Sequence, residues 1–141
     1  RMLADPYFES LPLKNTGLKY FTMSWLDQVL GHSPPAAVDV QATLTELCAQ
    51  SIALGFAEAG LPDRLLVCGS GVHNVFLVQV IAAALPDVVV ESTARYGTDP
   101  DWVEGLFFAW LARERIAERP QETMPITGAH NPVLLGEIHK P

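Results

Sequence analysis

Between Arg64 and Glu91 the sequence reads apolar run, glycine turn, apolar stretch, proline, apolar run, and that order leaves few folds open. Arg64 to Cys68 ("RLLVC") does not alternate, as a strand with one wet face would, so it predicts a strand buried on both faces. Gly69 and Gly71 then punctuate the chain. Asn74 to Leu85 predicts a helix stopped at Pro86, and Asp87 to Glu91 predicts a second buried strand. Strand, turn, helix and strand within 28 residues form a βαβ unit. Its strands must be parallel, because the intervening helix carries the chain back to the starting edge. The fold class is therefore α/β, with further helices needed to cover the sheet.

Those helices are legible on either side. Thr16 is placed to cap a helix from about Leu18 to Leu30, with Phe21, Met23, Trp25, Leu26, Val29 and Leu30 mostly buried; Gly31 and Pro34-Pro35 break it. Asp39 is placed to accept the unpaired amides at the start of a long helix, "VQATLTELCAQSIALGFAEAG", which Gly60 and Pro62 end. Asp99 or Asp101 caps another helix, with Pro100 in its first turn. Val103, Leu106, Phe107, Trp110 and Leu111 form the apolar stripe of that helix. Its polar end, "RERIAERPQE", reads as a solvated face. Val133 to Leu135 reads as a strand or a packed extended segment, and residues 1 to 16 as an ordered loop lying on another surface.

Composition narrows the function classes. Hydrophobic residues make up 49% of the 141 and charged residues only 18%, so apolar surface is left over for a partner domain or subunit. Nine basic against sixteen acidic residues give a net charge of −7, which argues against nucleic-acid binding by a basic face. No apolar run approaches the ~20 residues of a membrane helix; Val75 to Leu85 is interrupted by Gln79. Cys48 and Cys68 lack disulfide or CxxC spacing, and a reducing cytoplasm is the simpler context. His32, His73 and His130 lack metal-ligand spacing. The opening "RMLADPYF" has no leader pattern and reads as the middle of a longer chain.

The candidate chemistry sits at the glycine turn. A strand leaving through Gly69-Ser70-Gly71 points the positive end of the following helix at the turn, and glycines let a ligand approach the backbone. His73 and Asn74 add donors for ribose or phosphate oxygens. The spacing is G-x-G-x-x-N, without the lysine of a P-loop. The competing reading is a tight turn with Asn74 as a helix cap. Lys14, in the "LKNTG" loop, can meet an anion or be merely solvated. Glu104 lies near a helix start, where carboxylates commonly serve the dipole.

Five segments in order resemble the C-terminal half of the anhydro-N-acetylmuramic acid kinase family. "DPYFESLPLKNTG" resembles its opening segment, with Asn15 where a serine is usual. "DVQATLTELCAQSI" is similar to a family helix almost letter for letter. "VCGSGVHN" resembles the Gly-Gly-Gly-Ala-x-Asn turn, "VEGLFFAWLA" the Glu-Ala-x-x-Phe-Ala-x-Leu-Ala helix, and "ITGAHNPVLLGEI" the closing segment.

The resemblance implies one RNase-H-like lobe of an actin/hexokinase-like sugar kinase over residues 1–141, its N-terminal lobe lying outside this sequence. ATP and Mg²⁺ would sit between the lobes of a bacterial cytoplasmic homodimer. Water would open the 1,6-anhydro ring while the 6-oxygen is phosphorylated, in cell-wall recycling. It carries Gly69, Ser70, Gly71 and Asn74 to the nucleotide side, Glu104 to a catalytic or substrate contact facing the cleft, and Lys14 to the substrate side. The main catalytic aspartate and the first phosphate loop belong to the other half, so the isolated chain is expected to be inactive. Departures are Ser70 for glycine, Gly105 for alanine, and Ala94-Arg95 where members commonly have two acids. The rival expectation is a degenerate lobe used for dimerisation or interaction.

Overall fold

The computed structural model describes residues 1–10 and 16–139. Its frame is the anticipated βαβ unit. Strand β1 (Arg64–Val67) and strand β2 (Val89–Ser92) pair in parallel, with Arg64 opposite Val89 and Val67 opposite Ser92. Between them runs helix α4 (Val75–Ala84). Before them come α1 (Pro6–Glu9), α2 (Met23–Leu30) and the long α3 (Ala37–Ala59). After them come α5 (Val103–Ile116) and the single turn α6 (Met124–Thr127).

The core lies where α3 and α4 cover one face of the sheet. Ala49, Ile81, Leu85 and Val88 are buried there, with Ile52, Phe56, Leu65, Leu77 and Val90 packed around them. Ala49 is completely enclosed: a methyl group lets the two helix backbones come close. Gly60 ends α3 at φ +97, as the sequence predicts.

Several local expectations give way. The strands are not buried on both faces: Leu65 and Val90 point into the core, while Leu66 and Val89, on the other face, are exposed. Among the described residues both packing helices lie on the same side of the sheet, so non-alternating sequence meets half-open structure. Helix α2 starts at Met23 with Thr22, not Thr16, as its cap; the Thr22 hydroxyl accepts from the Trp25 amide. The five preceding residues do not join it, because Tyr20 and Phe21 stack with Tyr7 and Trp25, with ring centroids 5.0 to 5.8 Å apart in three of these contacts. Asp5 accepts from Tyr20 Oη at 2.7 Å and Trp25 Nε1 at 2.8 Å, bonds that hold its carboxyl below the usual range. Only Leu26 of the predicted α2 core is buried. Helix α3 begins two residues ahead of Asp39, which sits in the first turn near the positive end of the dipole and is not the cap. Residues 1 to 10 form two short helical turns in place of a loop.

The polar end of α5 is also more than a solvated face. Glu114 is buried, and its carboxylate accepts from Arg119 Nε at 2.7 Å and Arg113 Nη2 at 2.9 Å. Beyond it, Gln121 and Val133 exchange two backbone hydrogen bonds in an isolated antiparallel bridge, the extended segment anticipated at Val133. No helix among the described residues is long and apolar enough to cross a membrane. Cys48 and Cys68 are free and exposed.

Candidate functional site

The glycine turn opens where β1 runs out. Gly69 takes φ +77 and ψ 179, a conformation that only glycine adopts without strain. Its amide donates to the Pro100 carbonyl at 2.8 Å. That amide is therefore committed to the fold and does not serve as a ligand donor. Residues Ser70–His73 make a tight 3₁₀ turn. The leading amides of such a turn, those of Ser70 and Gly71, have no acceptor within it. A Cβ placed on Gly69 meets nothing within 4 Å, and one on Gly71 meets only Leu77 Cδ2, at 3.6 Å. Ser70, His73 and Asn74 are exposed. Gly69, Gly71 and Val72 beside them are half-buried.

Asn74 caps α4. Its Oδ1 accepts from the Leu77 amide at 3.0 Å, which orients α4 and leaves the side-chain NH₂ outward as a donor. The bland reading of Asn74 is thus correct for its oxygen, and a ligand contact remains open to its nitrogen.

The second wall comes from the chain 30 residues on. Asp99 is the cap of the short turn Pro100–Trp102, and its Oδ1 accepts from the Asp101 amide at 3.0 Å. Pro100 is buried. The Asp101 carboxylate faces the His73 ring, with Nε2 at 2.9 and 3.0 Å from its two oxygens. Since a carboxylate only accepts, Nε2 is the protonated nitrogen of this contact. Glu104 follows in the first turn of α5, exposed. The fold therefore brings Gly69, Ser70, Gly71, His73 and Asn74 beside the start of the helix that carries Glu104. Lys14 lies outside the described residues.

Sequence reasoning missed two groups. Asp101 stood out only as a possible cap; its pairing with His73, across 28 positions, has no local signal. Glu91 did not stand out at all. Its nearly buried carboxylate takes Arg64 Nε at 3.2 Å, Arg95 and Tyr96 Oη at 2.6 Å, and the Arg64 guanidinium lies 5.4 Å from the Tyr96 ring centre. The hydrogen bond to Glu91 raises the Tyr96 phenol above its ordinary value. Arg95 is thus occupied in tying down its own loop. A cavity of about 460 Å³, lined by Met2, Val29, Leu30, Val40 and Leu47 among others, shares no residue with the turn.

Comparison with known proteins is consistent along the whole chain. The family model described as Anhydro-N-acetylmuramic acid kinase matches residues 1–141. A relative of that name from Xanthomonas oryzae pv. oryzae is 48% identical over 139 residues, covering 98% of this chain and 37% of the relative. One from Chromohalobacter salexigens is 43% identical over 145 residues, covering 99% and 38%. One from Cupriavidus metallidurans is 42% identical over 143 residues, again covering 99% and 38%. The chain spans little more than a third of the length of these curated relatives.

Proposed function

This chain belongs to the anhydro-N-acetylmuramic acid kinase family, and from that premise we propose that residues 1–141 are the C-terminal lobe of a two-lobe, actin/hexokinase-like sugar kinase. In this reading the longer protein works in the bacterial cytoplasm as a homodimer. It opens 1,6-anhydro-N-acetylmuramic acid with water and phosphorylates the 6-oxygen, giving N-acetylmuramic acid 6-phosphate for cell-wall recycling. The observation that carries the reading is the open glycine bend, held beside the start of the helix that bears Glu104.

The fit to a nucleotide's phosphates rests on that bend. A side chain at Gly69 would meet nothing within 4 Å, and the Ser70 and Gly71 amides head a half-buried turn from which Ser70 and His73 reach solvent. ATP with Mg²⁺ supplies the phosphoryl group. The residues of this lobe seat and orient it: the Ser70 and Gly71 amides and the Asn74 NH₂ donate to phosphate or ribose oxygens, as a helix N-terminus favours. The Glu104 carboxylate accepts from sugar hydroxyls or from water at the sugar side, and Lys14 is assigned to the substrate. The aspartate that activates water, and the first phosphate loop, belong to the N-terminal lobe, so this segment alone is inactive and binds ATP weakly.

A second reading is a lobe used for association, favoured by the exposed Leu106, Phe107 and Phe108 on α5. The experiment that separates them joins this lobe to the N-terminal lobe of a family member and follows ADP release with anhydro-sugar. Glu104→Gln and Gly71→Val should each lower turnover about 10²-fold, the scale of losing one positioned contact at a reacting centre. Turnover indifferent to both substitutions overturns the kinase assignment.

A further inference from the structure

We propose that His73 and Asp101 are a positioning pair that locks the nucleotide-side turn to the helix carrying Glu104, so that the two halves of this lobe's site move as one body. The proposal rests on the kinase reading above for its kinetic consequence, and on geometry alone for the mechanical one.

Two bonds of different kinds span the same gap. The Gly69 amide donates to the Pro100 carbonyl at 2.8 Å, and His73 Nε2 meets both Asp101 oxygens at 2.9 and 3.0 Å. One fixes the entrance of the bend and the other its exit. A single bond is a hinge; a second, four residues further along the chain, restricts the rotation. The far side of the gap is itself held. Pro100 is buried, and the Asp99 carboxylate fixes the amide of Asp101. Glu104 follows Asp101 by three positions, about one helical turn.

The loop leading into this segment has no slack either. Glu91 gathers Arg64, Arg95 and Tyr96, the Thr98 amide donates to the Thr93 carbonyl at 3.2 Å, and Gly97 takes the left-handed conformation that closes the turn. Displacing the glycine bend therefore displaces Glu104.

Energetics argue that the pair is not there for stability. The His73 and Asp101 side chains are 62% and 53% exposed, and ion pairs so wet contribute little net. What such a contact supplies is direction: with Nε2 held on Asp101, the ring plane stands beside the bend. Histidine is a rigid donor for this purpose, having few torsions to order.

The test uses the full-length protein containing this segment, with His73→Ala, Asp101→Asn, the double variant, and His73→Gln, which keeps a donor toward Asp101. Each of the first two should lower kcat about three- to fivefold, the most that a link of this exposure can bias the positioned state, with KM for ATP and sugar changed less than about twofold. The double variant should be no worse than the poorer single one, because both remove the same link. His73→Gln should recover most of kcat, and melting temperatures should stay within about 2 °C of the parent. In parallel, amide hydrogen exchange is followed at Trp102–Leu106: His73→Ala should accelerate it there, across the bridge. Losses in kcat that multiply, or exchange at Trp102–Leu106 unmoved by His73→Ala, overturn the positioning role. A parent protein that transfers no phosphoryl group while exchange still responds overturns the kinase reading and leaves the lock standing.

Discussion

Helices α4 and α5 are both rich in apolar residues, yet the structure treats them differently. Helix α4 buries Ile81 against Ala49 of α3 and hands Leu85 and Val88 to the same core. Helix α5 carries Leu106, Phe107, Phe108 and Trp110, all exposed, and its one buried residue is the charged Glu114. The lesson is that hydrophobicity fixes what a helix needs, and neighbours decide what it gets. A stripe on one face requires one wall; on α5, Phe107 and Trp110 stack on one side with ring centroids 6.1 Å apart, while Phe108, about 100° further round the helix, needs a second. The described residues supply a wall to α4 and leave most apolar side chains of α5 exposed.

Three measurements on the 141-residue segment can break or sharpen that contrast. The largest effect belongs to Ile81→Ala, which opens a cavity in the α3–α4 core and should lower stability by about 2–5 kcal/mol in urea unfolding. Phe107→Ala should change it by less than about 0.5 kcal/mol, as surface substitutions do. If Phe107→Ala is as damaging as Ile81→Ala, α5 is packed in solution and the contrast fails.

Next comes the bend itself. Gly69→Ala forces a side chain into φ +77, ψ 179 and should lower stability by about 1–3 kcal/mol. Gly71→Ala meets only an ordinary contact with Leu77 and should leave the unfolding midpoint unchanged. Equal losses at the two glycines would mean that crowding, and not backbone conformation, selects them.

The smallest effect at neutral pH is expected at Glu114, whose two arginine partners still reach water. Hydrogen bonds from Arg119 and then Arg113 lower its carboxyl from 4.5 to about 2. A depressed folded value means the ion pair stabilises fully above the unfolded value of 4.5, and that contribution is lost as pH falls from there toward 2. Glu114→Gln should therefore lower the urea midpoint at pH 7, and its difference from the parent should vanish near pH 2. A difference that persists at pH 2 would assign the role to packing, not charge.

Legibility followed the range of the interaction. The βαβ unit, the end of α3 at Gly60, the stop before Pro86 and the cap at Asn74 were readable because each depends on a few adjacent residues. Thr22 displaced Thr16 as a cap for a non-local reason: Asp5 and Tyr7 recruited Tyr20 and Phe21. Arg113, Glu114 and Arg119 looked like a wet charge run, since nothing in a sequence says that a carboxylate will be enclosed by its own arginines. At the candidate site, Gly69 and Gly71 were legible as a bend that admits a ligand. The commitment of the Gly69 amide to Pro100 was not, and neither was the pairing of His73 with Asp101.

By itself the sequence determined the order of strands and helices, their parallel pairing and the place of the glycine bend, because propensity, glycine and proline act within a turn or two of chain. Only the tertiary structure decided which sheet face is covered, which apolar helix stays bare, and which carboxylate faces His73. Those outcomes turn on groups far apart in the chain whose meeting is set by packing, and packing is a property of the whole fold rather than of any window of its sequence.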